Sequence, residues 1–392
     1  MIYLDSNATS QIHPEVVDAM LPYLRDHWHN PSSGYAAGKL VKQALSQARE
    51  QVAALINAQP DEIVFTGCGT ESNNAALASL IDMAGKKKRL VTSTIEHSAI
   101  LRPSEYYAQL GYDVEKVAVG HDGRLDLLAY EESLRAGNVA LSSIMWANNE
   151  TGVIQPMDEV SALTRELGVP LHTDAIQAVG KMPVDVQKTP VDMLSLSGHK
   201  FHAPKGVGAL YIRRGVRFQP MLRGGGQEAG HRSGTENVAS IVGLGKAAEI
   251  MKSRLDNDQH AGVRQLRDHF ESRLLAELTG VRVNGSLEHR AVSTSHLSFE
   301  KCDASGLLIL LEEYGVLCSA GSACMTGKTK PSHVQTAMGL SSAQSKSSLR
   351  ISFSIFTERE QVDAAVEAVK KAVNKLRSVQ GGSGVGPVIV YT

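Results

Sequence analysis

Two segments decide the fold of this chain: Val169-Pro-Leu-His-Thr-Asp174 and Met193-Leu-Ser-Leu-Ser-Gly-His-Lys200. Each is a short apolar run followed by polar residues, which is typical of a buried strand that ends at the edge of a sheet. We predict strands over residues 169–173 and 193–196, and similar runs predict further strands over 62–66, 89–93, 139–146 and 208–213. The polar residues that directly follow these strands are the first candidates for chemistry.

Helical segments alternate with the strands. Apolar residues recur with a period of about 3.6 over residues 70–83, 98–110 and 157–167. This alternation predicts an α/β fold with a mainly parallel central sheet covered by helices. Ligands of such sheets bind beyond the carboxyl ends of the strands.

The pattern changes towards the C-terminus. A long helical segment over 238–278 is interrupted near 256–258, and short strands and helices follow it. We therefore expect a large domain over residues 15–255. A smaller α+β domain would comprise residues 1–14 and 256–392 and would carry a loop of small and polar residues over about 319–332.

Composition excludes several classes of protein. Of the 392 residues 42% are hydrophobic and 21% are charged, and the 40 Lys and Arg nearly balance the 41 Asp and Glu. These values argue against disorder and against bulk attraction to nucleic acid or to a membrane. The sequence opens without the pattern of a secretory signal, and its four cysteines form no CxxC pair, so we expect a cytoplasmic protein with free thiols.

The strand ends suggest a cofactor. The turn Gly67-Cys68-Gly69-Thr70 opens a helix, where backbone N–H groups could cradle a phosphate, although Thr70 could equally be an ordinary helix cap. Asp174 could pair with a pyridinium nitrogen or only cap a helix. Lys200 follows an apolar strand and a glycine, where it could carry a cofactor or lie in a surface turn. Together these residues suggest pyridoxal phosphate (PLP) held covalently by Lys200.

Three further residues allow both a functional and a purely structural interpretation. His97 could stack on the cofactor or cap a helix, and Asn149 could bond the cofactor or substrate or simply form a turn. Arg350 lies in a short strand, where it could bind a carboxylate or form an internal salt bridge. Among the cysteines, Cys324 lies in the small-residue loop near two lysines and is the candidate nucleophile.

The chain resembles the PLP-dependent cysteine desulfurases, and more narrowly the NifS/IscS-like group of the class-V aminotransferases. The resemblance covers about residues 2–378 and rests on ordered motifs, which are Tyr3-Leu-Asp-Ser-Asn-Ala-Thr9, Asn30-Pro-Ser-Ser33, Gly69-Thr-Glu-Ser-Asn73, Glu96-His97, Asn148-Asn-Glu-Thr-Gly152, His172-Thr-Asp-Ala-Ile-Gln177, Ser197-Gly-His-Lys200, Arg232-Ser-Gly-Thr-Glu-Asn237 and Ser322-Ala-Cys324. It implies an aspartate-aminotransferase-like fold.

The resemblance also implies a role for each site residue. Lys200 would carry PLP, Asp174 would pair with the pyridine nitrogen, and His97 would stack on the ring. The other implied contacts are Asn149 and Gln177 at the ring oxygen or substrate, Arg350 at the substrate carboxylate, and Gly69, Thr70, Ser197 and His199 at the phosphate. Thr235 would reach the phosphate from the other subunit of a homodimer.

The implied reaction removes sulfur from L-cysteine, giving L-alanine and a persulfide on Cys324. An acceptor protein such as an iron–sulfur scaffold would then take the sulfur, and the Cys324 persulfide could touch a metal cluster on that partner. A PLP aminotransferase, a selenocysteine lyase and an inactive acceptor-binding scaffold are the alternatives. Neither a nucleic acid nor a membrane is expected as a partner.

Overall fold

The computed structural model describes residues 1–320 and 331–380. In chain order its strands are β1 (Ile2–Tyr3), β2 (Ile63–Thr66), β3 (Arg89–Ser93), β4 (Asp113–Val117), β5 (Val139–Ser143), β6 (Leu171–Asp174), β7 (Met193–Ser197), β8 (Gly208–Ile212), β9 (Val281–Val283), β10 (Thr294–Phe299), β11 (Val316–Leu317) and β12 (Ser348–Ser352). Short 3-10 turns lie at Pro60–Glu62, Gly198–Lys200 and Gln227–Gly230.

The helices are α1 (Pro14–Arg25), α2 (Ala36–Leu55), α3 (Gly69–Met83), α4 (Ser98–Gln109), α5 (Leu127–Arg135), α6 (Met157–Glu166), α7 (Val238–Asp256), α8 (Ala261–Glu277), α9 (Ala304–Glu313), α10 (His333–Ala337), α11 (Ser342–Lys346) and α12 (Arg359–Gln380). Local chemistry explains several of their starts. Asp126 caps α5 and Asp303 caps α9 through bonds from two backbone N–H groups each.

A seven-stranded sheet forms the centre of the larger part of the chain. Its strand order is β2-β8-β7-β6-β5-β3-β4, and β8 alone runs antiparallel to its two neighbours, β7 and β2. The prediction of a mainly parallel sheet covered by helices is confirmed. Because β3, β5, β6 and β7 run in one direction, their carboxyl ends meet at one edge, where the candidate residues lie.

A second apolar core lies towards the C-terminus. The antiparallel sheet β12-β10-β9 and the parallel pair β1-β11 contribute to it, as does Leu4 of the N-terminal segment. Residues of α7 pack in the core of the large sheet, whereas Phe270 and Leu274 of α8 pack in this second core. The N-terminal segment thus crosses from the second core to the edge of the large sheet.

Three features differ from the sequence patterns. The apolar run 139–146 forms a strand only to Ser143, although the N–H groups of Ile144 and Trp146 still bond to β6 carbonyls. Strand β4 was not predicted because it is a charged, half-exposed edge strand without an apolar pattern. Helices α1 and α2 were not predicted either. Within residues 1–320 and 331–380, no helix is both long and apolar enough to cross a membrane.

Candidate active site

Lys200 lies at the carboxyl edge of the large sheet. It ends the turn Gly198–Lys200, which directly follows β7. Its side-chain nitrogen, Nζ, donates to the carbonyl oxygens of Asn7 at 2.7 Å and Ala8 at 2.8 Å. The N-terminal segment therefore holds this half-buried amine in place, a contact that the sequence patterns did not predict.

Asp174 ends the neighbouring strand β6 and is 4% exposed. Its Oδ2 accepts from Asn73 Nδ2 at 2.7 Å, and its Oδ1 accepts from the Ile176 backbone N–H at 3.1 Å. Asn73 is itself buried, and its Oδ1 has no hydrogen-bond partner in the described part of the chain. The carboxylate is thus fixed in orientation beside the strand that leads to Lys200.

His97 lies at the carboxyl end of β3 and caps helix α4. Its Nδ1 accepts from the Ala99 backbone N–H at 3.1 Å, so the cap reading of this residue is correct. Burial lowers the pKa of His97, Asp174 raises it, and Lys200 and His333 lower it further. The cap occupies only Nδ1, which leaves Nε2 and the ring faces for a ligand, and the influence of Asp174 and Lys200 brings His97 into the same site.

The start of α3 approaches β6 and β7 closely at Gly69. A Cβ atom at Gly69 would lie 2.2 Å from Ile176 Cδ1 and 3.2 Å from Ser197 Cβ, so any larger residue at this position would force the Ile176 side chain to move. Cys68 is the N-cap residue, without a side-chain capping bond, so Thr70 is not the cap and lies exposed in the first turn. The turn thus brings free backbone N–H groups and the Thr70 hydroxyl to one place.

His199 and Ser197 flank the turn that carries Lys200. Ser197 is 2% exposed, and His199 Nδ1 lies 3.2 Å from Thr9 Oγ1. Burial lowers the pKa of His199 to about 4, and the nearby lysines contribute to this lowering. At neutral pH the imidazole is neutral and can donate one hydrogen bond.

Gln177 and Asn149 meet at Asn7. Gln177 Nε2 donates to the Asn7 carbonyl at 3.0 Å, and Asn7 Nδ2 donates to the Asn149 carbonyl at 3.3 Å. The preceding residue, Asn148, holds the turn, because its Oδ1 accepts from the backbone N–H groups of Glu150 and Thr151. Asn148, and not Asn149, therefore stabilises the turn, and the Asn149 side chain is left to bind a cofactor or substrate.

Arg350, in β12, forms the internal salt bridge that the sequence left open. One terminal nitrogen donates to Asp5 Oδ1 at 2.7 Å and the other to the Asn149 carbonyl at 3.0 Å. The residue is 2% exposed, and its Nε has no partner in the described residues. Asp5 Oδ2 accepts from Ser319 Oγ at 2.8 Å, so this ion pair also holds Ser319.

The structure does not bring two of the predicted residues into this cluster: one lies elsewhere, and the other is outside the described residues. Thr235 is exposed between the turn Gln227–Gly230 and α7, in a segment tied to α3 by the Arg232–Glu71 ion pair at 2.8 Å. Cys324, the predicted nucleophile, lies in residues 321–330, outside the described residues. Of the other thiols, burial raises the pKa of Cys302 and raises that of Cys318 to about 12, so neither is a ready nucleophile.

Two buried carboxyl groups, those of Glu96 and Glu150, were not singled out by the sequence patterns. Glu96 Oε1 accepts from Ser93 Oγ at 2.7 Å and from the Met145 N–H at 2.9 Å, while its Oε2 has no partner in the described residues. Burial raises the pKa of Glu96 to about 8, so the group is a neutral acid below that pH. Burial also raises the pKa of Glu150.

The Glu150 carboxyl group and the Glu96 backbone carbonyl hold the start of α10. Ser332 Oγ donates to Glu150 Oε2 at 2.6 Å, and His333 Nε2 lies 2.9 Å from the Glu96 carbonyl oxygen. Together with Ser319, these contacts tie both ends of the segment that carries Cys324 to the candidate site. Asn7, Asn73, Glu96 and Glu150 all belong to motifs quoted above, but only the fold reveals their partners.

Comparison with known proteins identifies the family. The family model described as aminotransferase class-V matches residues 2–365. The chain belongs to the class-V aminotransferase family.

Within this family the chain is a NifS/IscS-like cysteine desulfurase. It is 45% identical over 379 residues to a cysteine desulfurase of Trichormus azollae, covering 97% of this chain and 94% of the relative. It is 44% identical over 389 residues to the cysteine desulfurase NifS of Azotobacter vinelandii, covering 99% and 96% of the two chains. A solved structure of a NifS-like protein superimposes on this chain with a TM-score of 0.88 at 35% identity, and the match covers 95% of this chain and 99% of the NifS-like protein.

Cysteine desulfurases are PLP-dependent transferases, so the described residues can be tested against that cofactor. Asp174 offers a fixed buried carboxylate, Lys200 offers an amine on the adjacent strand end, and the first turn of α3 offers backbone donors. PLP has a group that suits each of these. Its phosphate is an anion that a helix N-terminus binds, its ring nitrogen is a cation that a carboxylate binds, and its aldehyde reacts with an amine. The residues present fit PLP.

Proposed function

We propose that this desulfurase binds PLP at the carboxyl edge of the large sheet, with Lys200 as the covalent attachment point. The observation that carries the proposal is the convergence of Lys200, Asp174 and His97 from the ends of three parallel strands. Bound PLP supplies an electron sink that lets the Cα–H and Cβ–S bonds of an amino acid break at neutral pH.

Around this core the other residues would bind the cofactor by its parts. Asp174 would hold the ring nitrogen protonated, His97 would cover a ring face, and Gln177 and Asn149 would address the ring oxygen or the substrate. The phosphate would be held by Gly69, Thr70, Ser197 and His199. The tight contact of Gly69 with Ile176 supports this arrangement, because it brings the α3 N-terminus against the two strand ends.

Arg350 would bind the carboxylate of L-cysteine. A guanidinium has five N–H donors, of which Asp5 and Asn149 take two, so N–H groups including Nε are left for a substrate. After Lys200 Nζ takes the Cα proton, the Cys324 thiolate would attack the substrate sulfur. The S–S bond forms as the Cβ–S bond breaks, and the electron pair of the Cβ–S bond takes up a proton at Cβ. Lys200 Nζ would return a proton to Cα, giving L-alanine.

We further propose that the enzyme is a homodimer in which Thr235 reaches the phosphate of the partner's site. Exposed Thr235 and the large apolar side chains left at the surface, among them Trp28 at 72% and Leu24 at 61%, support a surface that a second copy covers. Each subunit would then consist of a large domain over 15–255 and a small domain of 1–14 and 256–392.

The persulfide on Cys324 would pass its sulfur to an acceptor protein in the cytoplasm, such as a scaffold for iron–sulfur cluster assembly. On such a partner the Cys324 sulfur could become a ligand of the growing cluster. The metal would be cargo of the partner.

The proposal is tested by incubating purified protein with L-cysteine and a reducing thiol, and by measuring alanine and sulfide. We expect alanine and sulfide in equal amounts from the wild type, and the same from the control Lys188→Ala, which removes an exposed lysine. Lys200→Ala should form neither product and should lose the visible absorbance band of the bound cofactor. Alanine formation by Lys200→Ala at the wild-type rate would contradict the assignment.

A further inference from the structure

A second lysine, Lys181, is buried beside the candidate site and has no assigned role. It is 9% exposed, and it forms no ion pair in residues 1–320 and 331–380. Its Nζ donates to Asn7 Oδ1 at 3.0 Å and to Gln177 Oε1 at 2.5 Å. Burying an amine without a carboxylate is costly, so its position calls for an explanation.

The contacts of Lys181 fix two side-chain amides. Because Gln177 Oε1 faces the amine, Gln177 Nε2 faces the opposite way and donates to the Asn7 carbonyl. Asn7 is held in the same manner, with Oδ1 on Lys181 and Nδ2 on Thr294 Oγ1 at 2.9 Å. In either protonation state the amine has the two N–H bonds that these oxygens accept.

Gln177 and Asn7 lie next to Lys200, the amine proposed to carry the cofactor. The Asn7 carbonyl that accepts from Gln177 also accepts from Lys200 Nζ. One N–H of Gln177 Nε2 is used by Asn7, and in the described residues no acceptor takes the other. Lys181 thus holds Gln177 with one N–H unused.

The charged and titratable groups around Lys181 are all basic. They come from two other places: Lys200, His199 and His202 lie on and just after the turn that follows β7, and Arg350 lies in β12. Burial lowers the pKa of Lys181 well below its usual range, and Lys200 and Arg350 lower it further. No carboxylate offsets this cost, which favours a role for the amine as a hydrogen-bond donor.

We infer that Lys181 is a positioning residue that clamps Gln177, so that Gln177 presents an N–H to the ring oxygen of the cofactor. This inference rests on the proposed function, in which Gln177 addresses that oxygen. Lys181 itself acts through Gln177, and its second bond, to Asn7 Oδ1, holds the amine in place.

A double-mutant cycle tests the inference with Lys181→Met, Gln177→Ala and the double variant. The readouts are the dissociation constant for PLP added to cofactor-free protein and the pH midpoint of the visible band of the reconstituted protein. A buried acceptor left without its donor costs a factor of about ten to one hundred, so Lys181→Met should weaken PLP binding in that range. It should also shift the pH midpoint upwards, because a donor near the ring opposes protonation there.

If Lys181 acts through Gln177, the double variant is no weaker than Gln177→Ala alone. Lys188→Met, which removes an exposed lysine, is the matched control and should change neither readout. Lys181→Gln keeps an N–H donor on a side chain one bond shorter and should restore part of the affinity and of the midpoint shift.

Two results would overturn the inference in distinguishable ways. If Gln177→Ala weakens binding but the two losses multiply in the double variant, Lys181 does not act through Gln177 and the proposed cofactor site stands. If Gln177→Ala itself leaves both readouts unchanged, the proposed contact between Gln177 and the ring oxygen is wrong, and the inference fails with it.

Discussion

At the scale of single residues, the Arg350 guanidinium serves both the fold and the proposed substrate site. Its ion pair with Asp5 joins β12 to the N-terminal segment, and its unused N–H groups suit a carboxylate. The two readings of Arg350 that the sequence left open are therefore compatible. A substrate carboxylate would add a partner to a guanidinium that Asp5 already orients.

Arg350→Gln should raise the KM for L-cysteine by about ten- to a hundredfold, since a charged hydrogen-bonded pair contributes about 1.5–3 kcal/mol. The cofactor absorbance should stay unchanged because, of the residues proposed to hold PLP, Arg350 contacts only Asn149, through its backbone carbonyl and not its side chain. Steady-state kinetics with a spectrum of each variant checks this, with exposed Arg359→Gln as the control. An unchanged KM would exclude Arg350 as the carboxylate ligand.

Glu96 predicts how stability depends on pH. Burial raises the pKa of Glu96 from an ordinary 4.5 to about 8, so between these values the folded state holds a proton that the unfolded state releases. The stabilising contribution is full below pH 4.5 and is lost as the pH rises through 8, at up to about 1.4 kcal/mol per pH unit. Glu96→Gln, which mimics the neutral acid, should flatten this slope.

Urea unfolding of the wild type and of Glu96→Gln over this pH range measures the slopes. We expect the variant to gain stability relative to the wild type as the pH rises towards 8. Parallel curves for the two proteins would mean that Glu96 is ionised in the folded protein at neutral pH.

At the scale of secondary structure elements, the packing of α3 against β6 and β7 depends on Gly69. A Cβ there meets Ile176 Cδ1 at 2.2 Å, so Gly69→Ala should destabilise the protein by about 1–3 kcal/mol and weaken PLP binding. Thermal unfolding and cofactor titration check both effects. Ile176→Val removes the clashing methyl group and should partly restore both quantities in the double variant. A Gly69→Ala protein with unaltered cofactor affinity would contradict the proposed phosphate site.

The sequence predicted the elements whose apolar pattern is strong. Strand β3 and the helices after β2, β3 and β5 lie within one or two residues of the predicted bounds, because buried strands and amphipathic helices have clear periods. Edge strand β4 carries charges on a half-exposed surface and has no such period. The strand prediction past Ser143 was too long because apolar residues continue beyond the point where the regular strand ends.

The site was predictable where a residue lies at the end of a strand or within a few residues after it. Asp174 ends β6, and Lys200 and His97 closely follow β7 and β3, so the topology brings them to one edge. Asn7, Lys181 and Glu150 could not be predicted in the same way. Their partners are separated from them by long stretches of chain, or are backbone groups, and only the packed fold brings them together.

At the scale of the whole molecule, the proposed homodimer predicts complementation between two inactive variants. Thr235→Asp should repel the phosphate of the partner's site, and Lys200→Ala should disable its own site. A heterodimer of the two contains one site with both residues intact, so an equal mixture that exchanges subunits should recover about one quarter of wild-type activity. Light scattering of each variant provides the control for dimer formation.

No recovery from a mixture proven to contain heterodimers would place Thr235 in its own subunit's site. A monomer in light scattering at assay concentration would exclude the shared site altogether.

The measurement that tests the central claim most directly is the location of sulfur after one turnover. The protein is incubated with L-cysteine without a reducing thiol, digested and analysed by mass spectrometry. Trypsin leaves Cys302, Cys318 and Cys324 in one peptide, because no Lys or Arg lies between residues 302 and 327, so fragment ions have to assign the added mass. We predict one extra sulfur atom on Cys324 and an equal amount of alanine, with neither in Lys200→Ala. Alanine formed with the sulfur on Cys68, Cys302 or Cys318, or on no cysteine, would contradict the account.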